Sequence, residues 1–304
     1  MSTSTVTSTS DHIVSSQDSA RLRQSTKNRK RGRALIFHLC SLALIVIVLY
    51  PAVWMLMSSF KPSSEIVGNV SLIPTDFTVA NFQKAIEGIG GVSFWTFFMN
   101  STILAVGSVI GITLSCSISA YAFARIDFPG RNVFFALMIG TLLLPFHVVI
   151  IPQYIVFNRL GLVDTFVPLL IGKFLAAEAF FVFLMVQFIR ALPKEIFEAA
   201  RIDGAGHFRT YLQITVPLMV PALATTAIFT FIWTWSDFFG PLIYLRIPEM
   251  FPVSVALKGF LDSQSSSDFG SMFAMSVVSL VPPFIAFLVG QRYLIKGFAT
   301  TGIK

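Results

Sequence analysis

Runs of about twenty residues with few or no charged side chains recur along this chain, and each is long enough to cross the ~30 Å hydrocarbon core of a bilayer as a helix. Six such runs fit, near Leu35–Met57, Trp95–Ala122, Asn132–Tyr154, Phe166–Arg190, Leu218–Tyr244 and Met272–Gln291. A bilayer admits only helices or closed barrels, and runs this long and apolar select helices. The expected fold class is therefore all-α integral membrane with six transmembrane helices. Charged residues make up only 12% of the chain, where soluble domains average about 25%. The first run is too long for a signal-peptide core and has no small-x-small cleavage site, so it reads as an uncleaved anchor.

Lys and Arg fix the orientation, because loops rich in them stay on the cytoplasmic side. With both termini inside, sixteen of the 22 Lys and Arg fall on the cytoplasmic face and five (Lys61, Lys84, Arg159, Arg246 and Lys258) on the other, with Lys173 inside a span. The net charge of +7 is then accounted for by anionic lipid headgroups, without a nucleic-acid partner. Residues 1–33 are Ser/Thr-rich, end in a basic cluster and lack apolar periodicity, so a disordered cytoplasmic tail is expected there, ahead of one helical domain over residues 34–304. In the outer segment after the first span, "TDFTVANFQKAIEG" predicts a short helix started by Thr78 and ended near Gly88. Gly107, Gly111, Ser115 and Ser119 form a stripe of small residues that lets another helix approach closely, in this chain or in a partner. Pro145, Pro152, Pro221, Pro282 and Pro283 mark kinks within spans.

Between the fourth and fifth runs lies the polar strip "PKEIFEAARIDGAGHFRTYLQITVP" (193–217). Pro193 can open a helix, Glu195 and Glu198 suit its positive end, and Gly204 with Gly206 can end it. A second short helix then runs to Pro217. Such a hairpin is too charged for lipid and too regular for a linker, which points to docking on a protein.

The strip resembles the E-A-A-x3-G-x9-I-x-L-P loop of permease subunits of ATP-binding-cassette importers, through Glu198, Ala199, Ala200, Gly204, Ile214 and Pro217, with Val216 in the Leu position. "YAFARIDFPGRN" (Tyr121–Asn132), "WTWSDFFGPLIYL" (Trp233–Leu245, with Ser236 where the family has Asn) and "QRYLIKGFATTGIK" (Gln291–Lys304) are similar to further family segments. The resemblance covers Leu35 to Lys304 and singles out the carbohydrate-uptake branch, in particular the smaller maltose-type permease. It implies a type I importer permease fold in a bacterial cytoplasmic membrane. It further implies a cytoplasmic ATP-binding subunit dimer docked on the hairpin, a second homologous permease, an extracytoplasmic solute-binding protein, and a sugar solute. Glycerol 3-phosphate or another polyol derivative is the alternative solute. Within the hairpin, Ala199 and Ala200 would keep one face small for close contact, Gly204 would make the turn, and Glu198, Arg201 and Asp203 would form charge-assisted hydrogen bonds with the ATPase.

The chain carries no G-x4-G-K-[ST] phosphate loop, H-E-x-x-H zinc site or G-x-S-x-G elbow, so no catalytic, metal or cofactor role is expected. An ion-coupled secondary transporter, the alternative from another class, would show inverted repeats and a carboxylate cluster, and neither is visible. Ionisable residues inside spans are costly in lipid and mark protein-lined or wet surroundings. Lys173 and Glu178 lie in the fourth run, five residues and about 140° apart on a helix, which aligns them poorly as a pair and leaves either contact with the solute or a structural pairing with the companion permease. Trp233 and Asp237 are one turn apart and share a face, an arrangement suited either to a sugar or to a satisfied core acid. His147, after the Pro145 kink, reads as a packed core histidine or a contributor to the solute path.

Overall fold

The computed structural model describes residues 9–68, 71–262 and 268–299; the final stretch of the C-terminal tail motif, residues 300–304, lies outside them. The chain divides into two compact units, Met1–Met57 and Ser58–Lys304. The first is built on α1 (Thr9–Ser58), whose Arg33–Ser58 portion is long and apolar enough to cross a membrane. Its described backbone is helical from Thr9, where the sequence predicts a disordered tail. No Pro or Gly occurs between Thr9 and Arg31, so nothing stops the helix of the span from continuing back through the polar residues.

The second unit is all-helical among its described residues. α2 (Ser63–Gly68) and α3 (Ala80–Glu87) precede the long α4 (Phe94–Arg125). The Thr78 hydroxyl accepts the Ala80 N–H and Gly88 closes α3 at φ +86°, so this helix forms where its capping residues predict. The remaining elements are α5 (Arg131–Thr141), α6 (Phe146–Arg159), α7 (Val167–Phe174), α8 (Ala179–Ala191), α9 (Lys194–Ile202) and α10 (His207–Thr210). A π segment (Tyr211–Thr215) leads into α11 (Val216–Leu218) and α12 (Val220–Ser236), followed by α13 (Phe239–Tyr244), α14 (Val253–Asp262) and α15 (Phe269–Ala299). Among the described residues four helical runs are long and apolar enough for a span, and two bent pairs bring the total to six if each pair is one span.

α4 is the hub, packing against α7, α8, α12 and α14, while α15 closes on α12 and α3. One buried core joins α4, α8 and the π segment around Ile112, Cys116, Phe181, Met185 and Tyr211. The other joins α3, α4, α14 and α15 around Phe94, Phe97, Ala256 and Met275. The small-residue stripe serves packing within the chain. A Cβ on Gly111 would lie 2.9 Å from the Phe174 ring, one on Gly107 would lie 3.2 Å from Leu170, and Ser115 Oγ donates to Lys173 O at 2.7 Å.

Three expected spans are interrupted. Asn132–Tyr154 is divided into α5 and α6, which meet at 100°, because Pro145 has no N–H to donate and biases Leu144 away from helical backbone. Phe166–Arg190 is divided into α7 and α8 by residues 175–178. Here Ala177 N–H closes onto Gly172 O at 3.1 Å and Ala176 takes φ +53°, the left-handed residue of a helix-ending Schellman turn. Leu218–Tyr244 is divided into α12 and α13 at Asp237–Phe238, and its first turn bends 74° from the preceding helix at Met219. By contrast α15 runs unbroken through Pro282 and Pro283. Pro283 leaves Ser279 O without its helical donor, and Trp235 Nε1 supplies one at 3.0 Å.

At the other end of this unit, Asn81 Nδ2 holds Ser59 O and Lys61 O at 2.9 and 2.7 Å, and the fully buried Lys61 ammonium donates to Ser71 O. Asp268 caps α15 by accepting Ser271 N–H at 3.2 Å, and it also accepts from the Ser63 hydroxyl at 2.7 Å.

Candidate functional sites: a solute cleft and a docking hairpin

Two clefts in the second unit collect the charged residues singled out in the sequence. The first, about 510 Å³, is lined by Lys173, Glu178, Trp233 and Asp237 together with Phe146, Leu169, Thr234 and Ser236. The helix break brings these groups together. Glu178 is the first residue outside α8, and the turn at 175–178 folds its carboxylate back onto the Lys173 ammonium as an ion pair. The poor alignment expected on one continuous helix does not arise, because the two residues belong to different helices.

Asp237 ends α12, and its carboxylate accepts the Gly240 N–H at 3.2 Å, which starts α13. A Cβ on Gly240 would fall 2.6 Å from the other Asp237 oxygen, so only glycine leaves room for the acid there. Trp233, 52% exposed, packs on Phe180, Phe181 and Phe229 at centroid distances of 5.4–5.9 Å. An aromatic surface, two carboxylates, an ammonium and two hydroxyls therefore border one cavity. That inventory can stack an apolar ring face and exchange hydrogen bonds with hydroxyl groups. His147 does not line the cleft and is not packed in a core. It is exposed, with its ring 5.0 Å from that of Phe239, because the Pro145 break turns α6 outward. Thr234 was not signalled by the sequence, since an isolated hydroxyl in an apolar run carries no pattern, and Ser236 stood out only as the residue in the Asn position of the family segment.

The second site is the 193–217 hairpin. Helix α9 ends through Gly204 at φ +75°, with Asp203 N–H on Ala199 O and Ala205 N–H on Ala200 O. His207 to Leu218 then forms one helical run through α10, the π segment and α11, with Ile214 half-buried and Pro217 exposed. The run is fastened to α4 by the Tyr211 hydroxyl on Ser117 Oγ at 2.7 Å and by Tyr121 beside His207. α9 is fastened by Arg125, whose guanidinium stacks 3.8 Å over the Phe197 ring while donating to Ile189 O and Leu192 O at the end of α8.

These attachments decide which way α9 faces. Lys194, Phe197, Glu198 and Arg201, at helical spacing, border a cleft against the bundle. Glu195, Ala199 and Ile202 are exposed on the flank of α9 next to that face and do not line the cleft, and Asp203 is exposed at its end. Ala200 is only 6% exposed, so it is an internal contact and not part of the small outward face expected of it. Ile202 and Phe208, on either side of the Gly204 turn, are 86% and 77% exposed, the two most prominent apolar side chains of the hairpin. Neither was singled out in the sequence, although apolar residues in so polar a strip are a signal that could have found them.

Residues 107–299 match the family described as binding-protein-dependent transport system inner membrane component, and the chain belongs to that family. It is 34% identical over 261 residues to the arabinooligosaccharides transport system permease protein AraQ of Halalkalibacterium halodurans, covering 85% of this chain and 92% of the relative. It is 32% identical over 273 residues to the sn-glycerol-3-phosphate transport system permease protein UgpE of Brucella melitensis, covering 88% and 96%. A bacterial ABC transporter involved in import of the acidic polysaccharide alginate, solved by crystallography, superposes with a TM-score of 0.72 at 25% identity over 96% of this chain and all of the other. The chain is thus a non-catalytic permease subunit of an ABC importer, an inner-membrane component that works with an ATPase and a solute-binding protein.

Proposed function

We propose that this chain is the smaller permease of a two-permease sugar importer, passing a neutral di- or oligosaccharide to the cytoplasm by alternating access. An ATP-binding subunit dimer docks on residues 193–217, below the six-helix body of residues 34–304. The observation that carries the solute assignment is the charge balance of the 510 Å³ cleft, a size within the ~300–1,000 Å³ of small-molecule sites. Its one cation, Lys173, is paired with Glu178, and Asp237 adds a further carboxylate. A phosphorylated solute would meet a net negative wall, whereas a neutral sugar finds Trp233 to stack on and carboxylates to accept its hydroxyls. This favours a sugar over glycerol 3-phosphate, the solute named for one relative. In the ATPase contact, Ala199, Ile202, Asp203 and Phe208 form the outward surface around the Gly204 turn, while Glu198, Arg201, Ile214 and Pro217 shape and hold the hairpin.

The test is uptake by cells carrying this permease with its neighbouring transport genes, using labelled arabino-oligosaccharide and labelled glycerol 3-phosphate. Sugar uptake that Trp233→Ala abolishes and that persists when the proton gradient is collapsed with ATP maintained supports the reading. Uptake of the phosphate ester alone overturns the solute assignment.

A further inference from the structure

The larger of the two clefts, about 650 Å³, separates α9 from the end of α4 and the turn at 126–131. Arg125, Arg131, Lys194 and Arg201 line it, and Asp127 and Glu198 are the acids in return. Arg131 is already satisfied by Asp127 at 2.6 Å, and Arg125 by the carbonyls of Ile189 and Leu192. Lys194 and Arg201 make no ion pair among the described residues, although Glu198 lies within one turn of each. Seven residues apart, they stand two turns apart on the cleft side of α9. The Tyr121 hydroxyl and the His207 ring, 3.4 Å apart, border the same space and can donate hydrogen bonds.

We infer that this cleft binds a phosphate group, presented either by an anionic phospholipid of the inner leaflet or by a soluble phosphate ester. Two uncompensated cations held by one rigid helix form a fixed point of positive charge. A guanidinium fork with an adjacent ammonium matches the tetrahedral oxygens of a phosphate. By the charge rule the cleft lies on the cytoplasmic side, where anionic headgroups concentrate. The occupant leaves Ala199 and Ile202 exposed, because neither lines the cleft, so phosphate and ATPase can be bound together. A bound phosphate would tie Lys194 and Arg201 to the Arg131 turn and set the stiffness of α9 against the bundle. The inference is independent of the solute carried.

The experiment measures acylation of the Lys194 amine by mass spectrometry in the full chain with its partner subunits, reconstituted in vesicles. Three conditions are compared at matched ionic strength: phosphatidylcholine alone, phosphatidylcholine with phosphatidylglycerol, and phosphatidylcholine with inorganic phosphate. The expected result is about fivefold protection of Lys194, relative to the zwitterionic phosphatidylcholine control, in at least one of the two conditions that add a net anionic phosphate, with Lys84 unaffected and with protection lost in Arg201→Gln and partly kept in Arg201→Lys. Protection by phosphatidylglycerol identifies a lipid headgroup, and protection by inorganic phosphate a soluble ligand. Reactivity that is the same in all three conditions overturns the inference. So does low reactivity already in phosphatidylcholine alone that rises when the ATPase is stripped from the vesicles, which makes the cleft a protein interface, or protection that survives in Arg201→Gln.

Discussion

Lys173 and Glu178 form an ion pair across the break between α7 and α8, and the pair stands on the wall of the 510 Å³ cleft. Both side chains are partly exposed, at 28% and 35%, so the pair is worth far less than a buried one. Glu178→Gln leaves Lys173 uncompensated beside the solute and lowers the initial uptake rate. The exchanged pair Lys173→Glu with Glu178→Lys recovers part of it. A double-mutant cycle on uptake should give a coupling of about 1 kcal/mol. Strict additivity would show that the two residues act separately.

The turn that creates this pair has a weak point. Ala176 holds a left-handed conformation, φ +53°, that costs a residue with a Cβ about 1 kcal/mol relative to glycine. Ala176→Gly should raise the thermal unfolding midpoint of the purified subunit and keep uptake intact. A lower midpoint would show that the methyl group contributes packing that outweighs the backbone strain.

Gly204 needs its positive φ, yet a Cβ there would meet nothing within 4 Å. Substitution therefore acts through backbone strain and not through a clash within the subunit. Gly204→Asn, which tolerates the left-handed region, should retain more ATPase in co-purification than Gly204→Val, with both variants reaching the membrane. Equal loss in the two would place the effect in the contact with the ATPase.

Ile202 and Phe208 stand in solvent in the isolated subunit, so Ile202→Ala and Phe208→Ala should leave its unfolding midpoint nearly unchanged. Each should weaken ATPase binding by about tenfold or more, the signature of an apolar anchor filling a partner's pocket. Affinity of the ATPase for permease-bearing vesicles, measured by sedimentation, checks this.

Asp268 titrates below the ordinary carboxylate value of 3.8. Partial burial pushes it up, but hydrogen bonds from Ser63 and Ser271, aided by the Lys84 ammonium at 3.5 Å, outweigh that effect. The folded protein thus binds this proton less readily than the unfolded chain. Its stabilisation is complete above pH 3.8 and fades as pH falls through the lowered folded value. Asp268→Asn should lower the unfolding midpoint at neutral pH, and its deficit should narrow below pH 3.8. A deficit independent of pH would assign the loss to capping geometry and not to charge.

How much of this was legible in the sequence depended on whether a physical rule left a mark on residue type. Apolar runs placed the spans, and Gly204 placed the hairpin turn, because lipid and positive φ each demand particular residues. Pro145 signalled a kink but not a 100° change of direction. The break at 175–178 left no mark at all, since an alanine occupies the position that helix ends usually give to glycine. Composition alone likewise could not say which way α9 faces. That depends on Arg125, far off in sequence, stacking on Phe197 and so turning Ala200 inward. Asp237 was legible as an acid beside Trp233, but its part in starting α13 required seeing α12 stop at Ser236.

Arg125 has one more consequence. It grips the last turn of α8 and the ring of Phe197 in α9 at once, while α8 begins one residue after Glu178 on the wall of the solute cleft. Thirteen helical residues at ~1.5 Å each make α8 a strut of about 20 Å. In mechanical terms one end of that strut is clamped to the hairpin and the other carries half of an ion pair. A pull on α9 therefore has a stiff, short line of action to the cleft that Lys173, Glu178 and Trp233 line.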